Sequence, residues 1–253
     1  MSALRIAMWS GPRNLSTALM YAFASRADCA VADEPFYAAY LAETGADHPM
    51  AAEIMAAGET DPARVAADLA GPVPGGRAVY YLKLMTHHMR PGWPEDWMGG
   101  MRHVFLLRHP ARVIASYAAK REDPGLDDLG FEAQARLFER ARSAGPPPLV
   151  VQAEDIRADP SGTLRALCAG LGIGFDPAML HWPAGGRPED GVWAPHWYGA
   201  VHRSTGFAGP EGPVPELEGA AAALCARALD FHAPLAERAL RPLRAQAASR
   251  ADS

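Results

Sequence analysis

Leu4-Arg5-Ile6-Ala7-Met8-Trp9-Ser10-Gly11-Pro12-Arg13-Asn14-Leu15-Ser16-Thr17 passes from an apolar run, through a turn, into a helical pattern. Leu4–Trp9 reads as a strand and Gly11-Pro12 ends it. Leu15–Ser25 reads as the helix that follows, with Leu15, Leu19, Tyr21, Ala22 and Phe23 offering an apolar face. A strand feeding a glycine-containing loop and then a helix N-terminus makes an anion site. The unpaired N–H groups and the helix dipole both favour negative charge there. Arg13 places a cation in the loop, and Ser16-Thr17 place hydroxyls at the helix start. The loop is a poor match to the ATP-binding pattern G-x-x-x-x-G-K-[ST], because Ser16-Thr17 stand where Gly-Lys is required.

Outward from this stretch, strand-like and helix-like runs alternate, which predicts an α/β fold with a mostly parallel sheet. Further strands are expected at Ala30–Ala32, Ala78–Met85, His103–Leu107 and Leu149–Gln152. Ala38–Leu69 reads as mostly helical with breaks near Gly45 and Gly58. Helices are expected from Pro110 to about Arg121, over Phe131–Ala144, and from an Asp159-Pro160 cap to about Leu171. Residues Phe175–Pro213, dense in Trp, Pro, Gly and His, read as an irregular lid or binding segment. A C-terminal helix is expected from about Val214, interrupted at Pro234, with Ala245–Ser253 frayed. At 253 residues the chain reads as one domain, 1–253.

A net charge of −5 argues against a general nucleic-acid partner, which calls for a basic face. No apolar run reaches the length of a membrane span, so no membrane partner is expected. Met1–Trp9 reads as too short and too quickly broken for a secretory leader, and three sparse cysteines (Cys29, Cys168, Cys225) without C-x-x-C spacing fit reduced thiols. Both point to a cytoplasmic protein. His87-His88 are adjacent, and His181, His196 and His202 lack zinc spacing, so no metal is expected. A homodimer is possible through the Ala-rich C-terminal helix, which could pack on its own sheet or on a second subunit.

A second stretch, Leu106-Leu107-Arg108-His109-Pro110-Ala111-Arg112-Val113-Ile114-Ala115-Ser116, again ends a strand and opens a helix. Arg108 at a strand C-terminus belongs to the crevice where open α/β sheets bind ligands, and its planar fork suits phosphate. Ser116, two turns into the helix, can return a hydroxyl to the same group. The pair of stretches resembles the sulfotransferase family, bacterial branch. That family's 5'-phosphosulfate loop carries Pro, a cation, two small residues and two hydroxyl residues, the order of Pro12, Arg13, Asn14, Leu15, Ser16 and Thr17. Its 3'-phosphate motif places a Ser eight residues after a strand-end Arg, the spacing of Arg108 and Ser116. Leu15 departs from a common Gly.

The resemblance implies a P-loop NTPase-like three-layer α/β/α fold. It implies sulfuryl transfer from 3'-phosphoadenosine 5'-phosphosulfate (PAPS), leaving PAP, to a hydroxyl or amine of a small-molecule acceptor. Gly11, Pro12, Arg13, Asn14, Ser16, Thr17, Arg108 and Ser116 would hold the nucleotide, with Arg13 at the leaving oxygen. Many cytosolic members close the site with Gly-x-x-Gly-x-x-Lys, which has no counterpart here; Arg203, in His202-Arg203-Ser204-Thr205-Gly206-Phe207, is the nearest substitute. Two positions compete for the base. Glu34, in Asp33-Glu34-Pro35-Phe36-Tyr37, matches branches with a Glu there; His87 or His88, after Lys83, resembles branches ending the third strand in Lys-Thr-His. Strand alternation predicts that at most one of the two histidines faces the crevice. Lys83 reads as a satisfied core-edge amine or a sulfate contact. Trp182, Trp193, Trp197 and Tyr198 read as packing anchors or as the acceptor-pocket wall. The alternatives are a P-loop nucleotide kinase, with Asp33 as its Mg²⁺ ligand, and a nucleotide-binding protein without turnover.

Overall fold

A computed structural model describes residues 3–118 and 124–243. Five strands, β1 (Leu4–Ser10), β2 (Cys29–Asp33), β3 (Val79–Met85), β4 (Arg102–Leu107) and β5 (Leu149–Gln152), form one sheet in the order β2-β3-β1-β4-β5. Every pairing is parallel. The helices are α1 (Ser16–Ala24), α2 (Tyr37–Thr44), α3 (Ala51–Ala57), α4 (Pro62–Ala70), α5 (Pro110–Ala118), α6 (Leu126–Leu129), α7 (Phe131–Ala144), α8 (Ala153–Ala158), α9 (Pro160–Leu171), α10 (Ala194–Trp197), α11 (Gly199–His202) and α12 (Gly219–Ala236).

Strand alternation sorts the core into two layers. Ala7, Trp9, Tyr80, Leu82, Leu84, Phe105 and Leu107 pack with residues of α2, α3, α4 and α7. Ile6, Met8, Val79, Tyr81, Val104 and Leu106 pack with residues of α1 and α9. Both sheet faces are covered, as an all-parallel sheet requires, so the expected three-layer α/β/α architecture is the one found. The chain leaves β1 toward β2 on one side and leaves β4 toward β5 on the other. A crevice therefore opens beyond the carboxyl ends of β1 and β4, where doubly wound sheets bind ligands.

Most expected elements fall within a residue or two of their observed bounds. The expected end near Arg121 and the frayed Ala245–Ser253 lie outside the described residues. The last helix differs: it starts at Gly219, because Pro213 and Pro215 hold the chain extended beforehand. Pro234 sits within its final turn, and the helix runs on to Ala236. Proline there forgoes one bond, its own to the Asp230 carbonyl, and the helix ends two residues later. Helix α12 packs on α5 and α7 of its own chain. The 175–213 segment is not wholly irregular. It holds a 3₁₀ turn at Pro177–Leu180, the short helices α10 and α11, and a bridge between His181 and Gly206.

Candidate active site

The loop from β1 to α1 has an unusual backbone. Arg13 and Leu15 take φ values of 57° and 66°, in the left-handed region. Left-handed residues interleaved in a turn bring backbone N–H groups onto one concave side, an anion receptor. Such conformations cost on the order of 1–3 kcal/mol each, so their surroundings must enforce them. Asn14 does so from within: its Nδ2 donates to the Leu106 carbonyl of β4 at 2.5 Å. Gly11 does so by being small, since a Cβ there would lie 2.6 Å from the Leu129 carbonyl oxygen of α6. Helix α1 then starts with no side chain capping its first N–H groups, which leaves them for a ligand.

The second expected motif meets this loop. Arg108 Nη1 donates to the Arg13 carbonyl at 2.7 Å, and Arg13 Nε donates to Ser116 Oγ at 3.2 Å. Burial, and then the neighbouring charge of Arg108, hold the Arg13 guanidinium below its ordinary pKa. Two cations crowded together in this way are stabilised by an incoming anion. A cavity of about 650 Å³ opens on them, lined by Pro12, Arg13, Asn14, Ser16, Thr17, Arg108 and Ser116. Arg157 of α8 lines it too. Sequence reasoning passed over Arg157 because a six-residue helix offers no period to read.

Arg203 does not join them. It is exposed and is not among the cavity's lining residues. It ends the short α11, a turn that Phe175–Pro213 was not expected to contain, and this takes it off the cavity wall. Gly11 also does not line the cavity; its contribution is the close approach of α6.

Glu34 and Lys83 line the same cavity. Lys83 Nζ lies 2.8 Å from Asp33 Oδ1, 2.6 Å from Glu34 Oε1 and 2.5 Å from the Tyr198 hydroxyl. That hydroxyl sits 2.8 Å from both Asp33 oxygens, which its one proton can serve in turn, and accepts from Trp193 Nε1 at 2.9 Å. The Gly191 amide donates to Asp33 Oδ2 at 3.1 Å. The Lys83 side chain is 1% exposed, and a buried ammonium is tolerable only when paired. Burial works against its charge, but Asp33 and Glu34 outweigh it and raise the Lys83 pKa. Burial, with the charge of Asp33 added, pushes the Glu34 carboxyl above the ordinary carboxylate range against the pull of Lys83. Lys83 is thus the satisfied amine that its apolar strand suggests. Asp33 is fully engaged by Lys83, Tyr198 and Gly191, not presented as a metal ligand.

His87 and His88 both line the cavity, contrary to the expectation that at most one would. The reason is local: β3 ends at Met85 and Thr86–His88 forms a 3₁₀ turn, so strand alternation no longer applies. His88 stacks on Tyr37 and Tyr40 at 4.5 and 4.8 Å between ring centroids. Burial, then His87, His48 and Lys83, hold its pKa well below the ordinary histidine value. A neutral, depressed imidazole is a weak base. Among the aromatics, Trp197 and Tyr198 line the cavity, whereas Trp182 and Trp193 are buried packing anchors.

Comparison with known proteins bears on the family and the fold. The family model described as "Sulfotransferase domain" matches residues 4–239. Two Arabidopsis thaliana proteins, branched-chain-amino-acid aminotransferase-like proteins 2 and 1, are 39% and 40% identical over 203 residues. That stretch is 80% of this chain but 36% of each relative, so the chain spans about a third of the curated relatives it matches. Among solved structures, the sulfotransferase domain from the curacin biosynthetic pathway superposes with a TM-score of 0.52 at 14% identity. It covers 91% of this chain and 97% of that one. The sulfotransferase domain of the Synechococcus PCC 7002 olefin synthase gives a TM-score of 0.46 at 17% identity, covering 89% and 94%.

Proposed function

The chain belongs to the sulfotransferase domain family, and from that premise we propose that it moves a sulfuryl group from PAPS to a hydroxyl or amine of a small acceptor. The observation that carries this reading is the meeting of the two sequence motifs on one cavity. Arg13, Ser16 and Thr17 of the first face it together with Arg108 and Ser116 of the second. The fit to the nucleotide rests on this chain's own groups. A left-handed loop and an uncapped helix start suit the 5'-phosphosulfate. Arg108, Ser116 and Arg157 suit the 3'-phosphate.

Bound there, PAPS supplies the sulfuryl group. Sulfuryl transfer resembles phosphoryl transfer in depending on positioning and on stabilising a shifting negative charge. Glu34 takes the acceptor's proton as the new oxygen–sulfur or nitrogen–sulfur bond forms. Arg13 stabilises the charge left on the 5'-phosphate oxygen as its bond to sulfur breaks. Lys83, held by Asp33 and Tyr198, favours the ionised form of Glu34 against the burial that raises its pKa, and holds the carboxyl in place. His87 stands beside the same cavity as the alternative base.

The acceptor half of the cavity also has a character. Lys83, the cation paired with Glu34, is already neutralised by Glu34 and Asp33 together, and Asp47 adds a further negative charge at the rim. Tyr37 and Trp197 supply ring surface. This environment favours uncharged or cationic acceptors over anionic ones. We place the protein in the cytoplasm on its three buried free cysteines. Among the described residues no helix is long and apolar enough to cross a membrane.

The test is calorimetry with 3',5'-phosphoadenosine in the absence of metal, set against ATP with Mg²⁺. The bisphosphate is expected to bind and ATP to be ignored. A preference for ATP with Mg²⁺ would overturn the reading in favour of a kinase.

A further inference from the structure

Glu211 stands in the glycine- and proline-rich string Gly209-Pro210-Glu211-Gly212-Pro213, beyond the cavity wall and far in sequence from either nucleotide motif. Nothing in its surroundings in the chain marks it as functional. Its side chain is nevertheless only 6% exposed, and three arginines converge on it. Arg108 Nη2 and Arg157 Nη1 both donate to Oε1, and Arg112 Nε lies 3.2 Å from Oε2. Two of these arginines also hold the backbone around it. Arg157 Nε donates to the Gly209 carbonyl at 2.8 Å, and Arg112 Nη2 donates to the Gly212 carbonyl at 2.5 Å.

The arrangement has a direction. Arg108 and Arg157 line the cavity, whereas Arg112 and Glu211 do not. One carboxylate oxygen therefore bridges the two cavity guanidiniums from the side away from the ligand. Two such cations repel each other, and their long side chains lose considerable freedom when fixed. A shared buried carboxylate offsets both costs. Three arginines with two carboxylates, Glu211 and the Glu154 that lies 3.6 Å from Arg112, sum to +1, so the cluster keeps a positive charge for a phosphate to meet.

We propose that Glu211 is a positioning residue for the nucleotide: it latches the 209–213 segment to the sheet and sets Arg108 and Arg157 at the spacing that receives the 3'-phosphate. This rests on the donor reading given above. It gives the segment after α11 the closing role that the sequence assigned to Arg203, but through an acid rather than a base.

The test is calorimetric binding of adenosine 3',5'-bisphosphate and of adenosine 5'-monophosphate to the wild type, Glu211→Gln, Glu211→Asp and Arg112→Met. Charge-assisted hydrogen bonds of this kind account for about tenfold in affinity or more. Glu211→Gln should therefore weaken the bisphosphate about tenfold and leave the monophosphate within about twofold. Glu211→Asp should recover part of the loss. Arg112→Met frees one side of Glu211 without touching the cavity, and should give a smaller loss of the same sign. A latch that merely stabilised the fold would weaken both ligands together, and that result would overturn the proposal. Tighter bisphosphate binding by Glu211→Gln would also overturn it, since the carboxylate would then be competing with the 3'-phosphate. If the wild type fails to bind the bisphosphate, the donor reading falls and this inference with it. Wild-type binding that Glu211→Gln leaves unchanged sinks only the inference.

Discussion

Glu34 occupies a conformation and an environment that both need explaining. Its φ of 43° is in the left-handed region, and its carboxylate shares a buried amine with Asp33. A base must be ionised to accept a proton, and burial raises the pH at which that happens. Activity should thus rise with pH through a limb above the ordinary glutamate value of about 4.3. Lys83→Met removes the charge that favours ionisation and should move the limb further up. Glu34→Gln should lower kcat by about 10²–10⁴-fold, the usual contribution of general-base catalysis, while bisphosphate affinity stays within about twofold. A pH–rate profile of the three proteins checks this; activity that survives in Glu34→Gln passes the role to His87. Glu34 in the Asp33-Glu34-Pro35 string could be singled out from the sequence only through the family resemblance, which has a Glu just after the second strand. Tyr198 as its partner could not, since the two lie 164 residues apart and only the folded chain brings them together.

The same division between local and distant signals holds for the elements. Phe131–Ala144 and Leu149–Gln152 match their expected bounds because a 14-residue amphipathic pattern and a proline-released apolar run are strong local signals. Helices α6 and α8, four and six residues long, carry no readable period, and both matter to the site. Helix α8 brings Arg157, and α6 brings the Leu129 carbonyl against Gly11. This last contact makes a prediction at the level of the loop. Glycine here is required by space, not by φ. An added methyl at 2.6 Å from a backbone oxygen must push either the phosphate loop or α6 away. Gly11→Ala should therefore cost roughly 1–3 kcal/mol of stability, the range for overpacking. It should also weaken bisphosphate binding more than Arg203→Ala does, since Arg203 lies off the cavity. Denaturant melts and calorimetry of the two variants decide it; a Gly11→Ala protein as stable and as tightly binding as the wild type would show that the contact yields.

Across the whole molecule, the parallel sheet turns a modestly acidic chain into a strongly polarised cavity. The net charge is −5, yet the segments that follow β1, β4 and β5 gather Arg13, Arg108 and Arg157 at one end of the cavity. The end of β2 and the body of β3 bring Asp33, Glu34 and the lysine they compensate, Lys83, to the other. On the proposed function, a donor bearing several negative charges and the acceptor that approaches it would be sorted by sign. An anionic acceptor would meet the Glu34 side and the donor's own charge together. Three phenols with one reacting hydroxyl and different remote charge measure this directly: tyramine, 4-methylphenol and 4-hydroxyphenylacetate. The expected order of kcat/KM is cation, then neutral, then anion, with at least about tenfold between the extremes, or 1.4 kcal/mol. Asp47 is exposed at the rim, so its share is screened by salt. Asp47→Asn should narrow the gap at low ionic strength and matter little at high ionic strength. An inverted order would mean that a cation reaches the acceptor after all. Arg108 and Arg157 would then be serving acceptor as well as donor, and the two-ended division of the cavity would be wrong.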